Sequence, residues 1–285
     1  MHSFRVMTFN IRCDTIDEGP HTWMNRRPLV IQTIHDHDPD LLGVQEATSH
    51  QWTEIAAALP GFTPFGLAER APLEMDSDVP AGFVRRARFE RLESGLFWLS
   101  DTPQEPGSIT WPNDWGARMC CWARLQDRQT DRRLIFACTH VDTNAGGWLP
   151  SARVLHAELD KVADGVAIVL VGDFNCAAGS AAHQYLTATG RYRDAWHEAG
   201  LSDEGVVTFN GFSPDPRLPD EQGHSDRNYR IDWILVRGAI KCISATSDQR
   251  TDGGLFPSDH YPVIAQVEWD DAANSLHQGV EITLK

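Results

Sequence analysis

The chain of 285 residues is long enough to bury a full hydrophobic core as one large domain or two small ones. Its 25 basic against 40 acidic side chains leave a formal charge of -15, which opposes adhesion to polyanions such as long nucleic acid or an acidic membrane surface. No apolar run reaches the length of a membrane span, and MHSFRVMTFN lacks the pattern of a secretory leader, so a cytoplasmic protein with no membrane insertion is expected.

In chain order, apolar runs predict strands over Phe4 to Phe9, Leu41 to Val44, Gly95 to Leu99, Met119 to Leu125, Leu134 to Cys138, Ile168 to Val171, Ile231 to Val236 and Val263 to Trp269. Between them, periodic segments predict helices over Arg26 to His37, His50 to Ala58 behind a Thr48/Ser49 cap, Ser151 to Val162, Ala181 to Thr189 and Tyr192 to Ala199. Strand-rich, helix-flanked order of this kind belongs to layered α/β proteins. No repeat or linker divides residues 1–270. Ala68 to Glu90 is charged and weakly periodic, which reads as a surface insertion on the substrate side. Residues 271–285 read as a C-terminal tail, in which Val280 to Leu284 is strand-like. The six cysteines, Cys13, Cys120, Cys121, Cys138, Cys176 and Cys242, form no C-x-x-C pair and lie in or beside apolar runs, so they read as reduced packing residues.

The strand ends carry the chemistry. In IVLVGDFNCAAGS a run buried on both faces stops on Asp173 and Asn175, which alone is equally a turn. The same position elsewhere in the pattern is held by Asn10, by Gln45 and Glu46, by Thr139, His140 and Asp142, by Arg230 and Asp232, and by Ser258, Asp259 and His260. Independent turns have no reason to supply so complementary a set. Glu46, Asp259 and the amide oxygen of Asn10 are hard oxygen ligands suited to Mg²⁺ or Mn²⁺, whereas zinc-type clusters are missing. Two histidines on separate loops, each near an acid, suit proton transfer and charge stabilisation, with Asp232 as the orienter of His260. The combination fits hydrolysis of a phosphate ester.

TFNIR at 8–12, QE at 45–46, TH at 139–140, GDFN at 172–175, RID at 230–232 and SDHYPV at 258–263 together resemble the endonuclease/exonuclease/phosphatase superfamily, in order and spacing from about residue 4 to 269. SGLFWLSDTPQEPGS at 94–108, Trp23, Asn25 and Arg26, and Arg118 ahead of MCCWARL resemble a bacterial-type branch of stand-alone members. The resemblance implies a four-layer α/β/β/α sandwich of two packed mixed sheets flanked by helices. It implies that Asn10 and Glu46 hold the metal with Asp259 as a further ligand. By the same resemblance Asp173 aligns or deprotonates the attacking water and Asn175 positions that nucleophile or a phosphoryl oxygen. His260, held by Asp232, stabilises the transition-state charge; His140 contacts phosphate or assists the leaving group; and Arg118 meets a phosphate oxygen.

Two departures bear on the substrate. Thr143 follows Asp142 where the branch carries a histidine, and Asp78 stands where a pocket glutamate is usual, in an uncertain register. Arg85, Arg86, Arg88 and Arg91 form the one basic cluster, and strand alternation would send them to different faces. Among ten tryptophans, Trp23, Trp111, Trp115 and Trp148 fall in loops expected near the mouth, where an aromatic face can stack on a base or sugar or simply pack. The expected activity is a Mg²⁺- or Mn²⁺-dependent phosphoesterase acting by in-line attack of water on a small or medium phosphorylated compound, monoester or diester. A nuclease for single-stranded or structured nucleic acid is one alternative. A metal-binding module, or a site repurposed for recognition or a non-hydrolytic reaction, is the other.

Overall fold

The computed structural model describes residues 2–15, 19–66, 79–215 and 229–271. Two six-stranded mixed sheets pack face to face. The first runs in the order β11 (Ile240–Ser247), β12 (Val263–Trp269), β1 (Ser3–Asn10), β2 (Leu41–Ala47), β4 (Val79–Arg85) and β3 (Phe62–Phe65). The second runs β5 (Phe89–Trp98), β6 (Met119–Asp127), β7 (Arg133–His140), β8 (Ala167–Asp173), β10 (Asp232–Arg237) and β9 (Arg193–Asp194). Among the described residues only the β1–β2 and β7–β8 pairs are parallel. Helices α1 (Trp23–His37) and α2 (Ser49–Ala58) cover the first sheet, and α3 (Ala145–Ala163) covers the second. Helices α4 (Ala181–Gln184) and α5 (Ala195–Glu198) are single turns, α4 running on into a π-helical turn over Tyr185–Thr189. The expected layered sandwich is therefore present.

Period-two alternation explains both the apolar runs and the polar residues that end them. In β8, Val169 and Val171 point between the sheets, whereas Ile168 and Leu170 point at α3, so every residue of the run is buried. The next inward position is Asp173. The same parity puts Asn10 after Phe4 and Val6 on β1, His140 after Phe136 and Cys138 on β7, and Asp232 ahead of Ile234 and Val236 on β10. Four polar side chains thus close the inward rows at one end of the inter-sheet core. Gly43 lets the layers meet there, because a Cβ at that position would lie 2.4 Å from Val171 Cγ2.

The stretch expected as an insertion is corrected over its second half. Residues 79–90 enter β4, which is buried between β2 and β3, and the start of β5. The short apolar core VPAGFV is flanked by acids upstream and arginines downstream, which dilute its hydrophobic signal; residues 68–78, with Asp78, lie outside the described residues, as does the tail beyond Asp271. The segment Tyr192–Ala199 is not one helix: β9 occupies Arg193–Asp194, and the Asp194 carboxylate then caps α5 by accepting the Trp196 N–H at 2.9 Å. Strands β3, β9 and β11 also escape the apolar-run criterion, being short or, like β11, an edge strand with alternate residues exposed.

The basic run lies at the other end of the sheets. Arg85 pairs with Asp38 and Asp40, Arg86 donates to the carbonyls of Phe62 and Pro60, and buried Arg88 makes a bidentate contact with Asp127 at 2.8 and 2.9 Å. These guanidiniums are spent on the fold and form no binding track. The six cysteines are buried and unbridged, and among the described residues no helix is long and apolar enough to cross a membrane.

Candidate active site

The closed ends of the inward rows converge into one polar constellation. Asn10 Nδ2 lies 2.9 Å from Glu46 Oε1 and 3.0 Å from Asp173 Oδ2, joining residues from both sheets. Glu46 reaches this point because β2 bulges between Val44 and Ala47, leaving Glu46 in the left-handed region at φ 61°. Arg12 and Asn175, on the neighbouring loops, are also left-handed, at φ 58° and 51°. Each such non-glycine residue costs roughly 1–3 kcal/mol, and three of the eight found among the described residues stand at this mouth.

His260 is held by Asp232, with Nδ1 to Oδ2 at 3.0 Å, and its Nε2 faces Asp173 Oδ2 at 3.6 Å. Phe209 presses edge-on against the ring, with centroids 5.0 Å apart. Burial opposes charge on this imidazole, but Asp232 and Asp173 outweigh it and raise its pKa to about 10. His260 is therefore an imidazolium at neutral pH, donating from both nitrogens.

His140 has the opposite character. Burial, then the charges of Arg118 and His260, drive its pKa well below the ordinary histidine value. Arg118 Nη1 lies 3.0 Å from Nδ1, and a guanidinium can only donate, so Nδ1 is the lone-pair nitrogen. Nε2 then carries the hydrogen and faces Asp173 Oδ2 at 3.5 Å. Asn175 Nδ2 lies 3.1 Å from the same nitrogen, donor beside donor and so not a hydrogen bond in this tautomer, while it donates to the Val141 carbonyl at 2.7 Å; the Asn175 backbone N–H donates to Asp173 Oδ1 at 2.9 Å. Asp173 sits between the two histidines. Burial and the neighbouring Asp232 raise its pKa to about 7, against the pull of His260, Asn175 and Asn10.

Glu46 is raised as well, by burial and by repulsion from Asp259, with Arg12 opposing. Arg12 Nη1 pairs with Asp259 Oδ2 at 3.2 Å. Buried Asp173, Asp232 and Asp259 and half-buried Glu46 crowd one mouth, and the upward shifts of Glu46 and Asp173 register a deficit of positive charge that a divalent cation would relieve. The donors are hard oxygens, which fit Mg²⁺ or Mn²⁺. Among the described residues, triads whose ligand atoms lie within 4.8 Å of one another are Asp173/Asp232/His260 and His183/Asp194/His197; Glu46 and Asp259 belong to neither. In the second triad the cation is already supplied, since Arg230 Nη2 lies 2.6 Å from Asp194 Oδ2.

This arrangement agrees with a sequence-wide correspondence. The profile of the endonuclease/exonuclease/phosphatase family matches residues 7–260. The chain belongs to that family. Endonuclease/exonuclease/phosphatase members are similar to it in structure as well: one from Bacteroides vulgatus is 26% identical with a TM-score of 0.83, covering 95% of this chain and 100% of that one. The mannosyl-6-phosphatase of Bacteroides thetaiotaomicron is 25% identical with a TM-score of 0.77, covering 93% of this chain and 100% of that one. An uncharacterised protein of Acanthamoeba polyphaga mimivirus is 27% identical over 171 residues; the match spans 54% of this chain and 60% of the length of that curated relative. Family members are hydrolases of phosphoesters and are generally dependent on a divalent metal.

Of the residues singled out from the sequence, Asn10, Glu46, Arg118, His140, Asp173, Asn175, Asp232, Asp259 and His260 stand at or beside this mouth, whereas Arg230 serves the Asp194 cluster. Three others have no role that the sequence reveals. Arg12 ends the TFNIR block but acts through an ion pair invisible in sequence. Thr208 Oγ1 accepts the N–H groups of Ile231 and Asp232 at 3.0 and 3.2 Å and so sets the start of β10, and Phe209 contacts His260. The strand-poor context of VVTFNGF offers no signal for either.

Proposed function

We propose that the protein is a divalent-cation-dependent phosphoesterase that hydrolyses a small or medium phosphorylated compound by in-line attack of water. The observation that carries the reading is the geometry around Asp173, whose buried Oδ2 lies 3.6 Å from His260 Nε2 and 3.5 Å from His140 Nε2. Burial and Asp232 raise this carboxyl, which favours its accepting a proton from water. Water oxygen bonds to phosphorus, its proton passes to Asp173, and the bond to the leaving oxygen breaks. His260 and Arg118 offer N–H donors to the phosphoryl oxygens, with the charge on His260 kept by Asp232. His140 Nε2–H, 3.5 Å from Asp173 Oδ2, would be the donor available to the leaving oxygen. Asn175 fixes Asp173 through its backbone N–H and the end of β7 through the Val141 carbonyl. Glu46, with Asn10 and Asp259, would hold the cation, whose contribution is to withdraw charge from the phosphoryl oxygens.

The balance of substrates favours small compounds. The net charge of -15 repels a long polyanion, and the arginine run is consumed by internal contacts far from the mouth. Phosphomonoesters, dinucleotides and oligonucleotides incubated with Mg²⁺ or Mn²⁺, and with a chelator, test the reading. Phosphate release from a monoester, or cleavage of a small diester, should vanish on chelation and return with the metal. Metal binding without hydrolysis of any member of the panel would overturn it, and salt-dependent cleavage restricted to oligonucleotides would replace it with a nuclease.

A further inference from the structure

Four tryptophans are expected near the mouth, and the structure separates them. Trp23, the first residue of α1, is buried and donates from Nε1 to Glu54 at 2.6 Å. Trp148 is partly buried and donates to the Asp142 carbonyl at 3.0 Å. Trp111 packs on the first turn of α3, where a Cβ on Gly147 would come within 2.8 Å of Trp111 Cδ1. Trp115 alone of the four leaves most of its ring in solvent, at 66% exposure.

Its position is nonetheless fixed from several directions. The backbone N–H groups of Asp114 and Trp115 donate to the Asp142 carboxylate at 2.8 and 3.1 Å. Asn144 N–H and Arg118 Nε approach the same buried carboxylate at 2.9 and 3.5 Å. Trp115 Nε1 donates to Thr143 Oγ1 at 3.1 Å, and Thr143 Oγ1 in turn donates to Asp114 Oδ2 at 3.0 Å. Asn144 Nδ2 closes the clasp on Asp114 Oδ1 at 3.1 Å. One carboxylate therefore ties both the Trp115 loop and Arg118 to the end of β7, and Arg118 touches His140. Beside the loop, Leu99, Ile109, Trp111 and Ser151 form a shallow hollow with Arg118 and Asp142 in its wall.

Holding a large apolar ring in water by its own N–H gives the fold no burial energy. It does remove the rotamer freedom that a binding partner would otherwise have to arrest. We propose that Trp115 is a preorganised stacking platform for a flat-faced ring in the substrate, nucleobase or pyranose, attached to the phosphate that Arg118 meets; this rests on the phosphoesterase reading. Asp142 and Thr143 are positioning residues for it. Thr143 stands where the resembling branch carries a histidine, and here its hydroxyl receives the indole N–H, so the departure has a structural use at the substrate rim.

Adenosine monophosphate, glucose 6-phosphate and glycerol phosphate provide a nucleobase arm, a pyranose arm and an acyclic control. Replacing Trp115→Ala should lower kcat/KM on at least one ring-bearing phosphate by ~10-fold or more relative to glycerol phosphate, mainly through KM, and Trp115→Phe should restore most of it. Equal loss on ring and acyclic compounds would overturn the platform and leave the hydrolase standing. Binding is read separately in the Asp173→Asn protein, where titration with the ring phosphates should quench tryptophan fluorescence and Trp115→Phe should abolish that quench. A Trp115-dependent quench with no hydrolysis by the unmodified protein would overturn the phosphoesterase reading while keeping the platform. Absence of both signals would end both.

Discussion

Two buried histidine–carboxylate clusters flank the start of β10, where Arg230 and Asp232 stand two residues apart in sequence, and they differ in how their charge is closed. On one side, Asp194 Oδ2 meets His183 Nε2 at 2.9 Å and Arg230 Nη2 at 2.6 Å, while Arg230 Nε reaches Asp203 at 2.7 Å and its guanidinium lies 5.5 Å above the Trp196 ring. Burial would raise the Asp194 carboxyl, but the His183 hydrogen bond and the Arg230 charge outweigh it and hold the pKa below the ordinary aspartate value. On the other side, Asp173 and Asp232 share His260, one carboxylate oxygen of Asp232 is buried without a hydrogen-bond partner, and the Asp173 pKa is pushed up to about 7. The same residue types make a charge-paired structural joint where an arginine completes them, although Arg230 Nη1 is itself buried without a hydrogen-bond partner. Around His260 two carboxylates share one imidazole instead, and the Asp173 carboxyl stays raised.

The sharpest way to break this comparison is to neutralise the open cluster. Asp173→Asn is expected to lower kcat by ~10²–10⁴-fold, the range of a positioned general acid or base, without loss of fold. In chelator-treated protein it should also melt above the unmodified chain at pH 8, because the folded state disfavours the ionised acid that the substitution removes. Lower stability together with full turnover would place Asp173 with Asp194 as a structural acid.

Much of this contrast is legible in the sequence, and the limits are instructive. Asn10, Glu46, His140, Asp173, Asp232 and His260 can be read because doubly buried strands make apolar runs that stop abruptly, and the residues that stop them are conspicuous. Glu46 is legible as an acid, though its left-handed bulge is not, since nothing in LLGVQEA requires it. Arg230 and Asp232 look alike as a pair at a strand start. Only the fold shows that they serve different clusters, because Asp194 comes from another strand and sequence carries no sign of the pairing. Strand β4 is lost to its charged flanks, and Trp115 cannot be told from Trp111 or Trp148 without knowing which ring the helix covers.

Arg230 sharpens the comparison from the closed side. Its side chain is wholly buried, as is that of Asp194. Arg230→Ala would leave the Asp194 carboxylate buried without its cation, a change that costs about 3–5 kcal/mol in such pairs. Chemical unfolding should show that loss, while turnover per folded molecule falls far less than in Asp173→Asn. If Arg230→Ala leaves stability unchanged, the closed cluster is not the joint its geometry describes.

The smallest effect is a difference in sign with pH. Asp194 is depressed in the folded state, so the unfolded chain binds the extra proton, and stability contributed by this group is fully present above the unfolded pKa and is lost as pH falls through the folded value. Asp173 is raised to about 7, so the folded chain binds the extra proton and the contribution of this group declines as pH climbs from about 4 toward 7. Unfolding free energies measured from pH 3 to 8 in metal-free protein should therefore lose part of the acid-side rise in Asp194→Asn and part of the neutral-side decline in Asp173→Asn. The same sign of change in both variants would mean that the two carboxylates share one electrostatic environment, and the division between joint and site would fail.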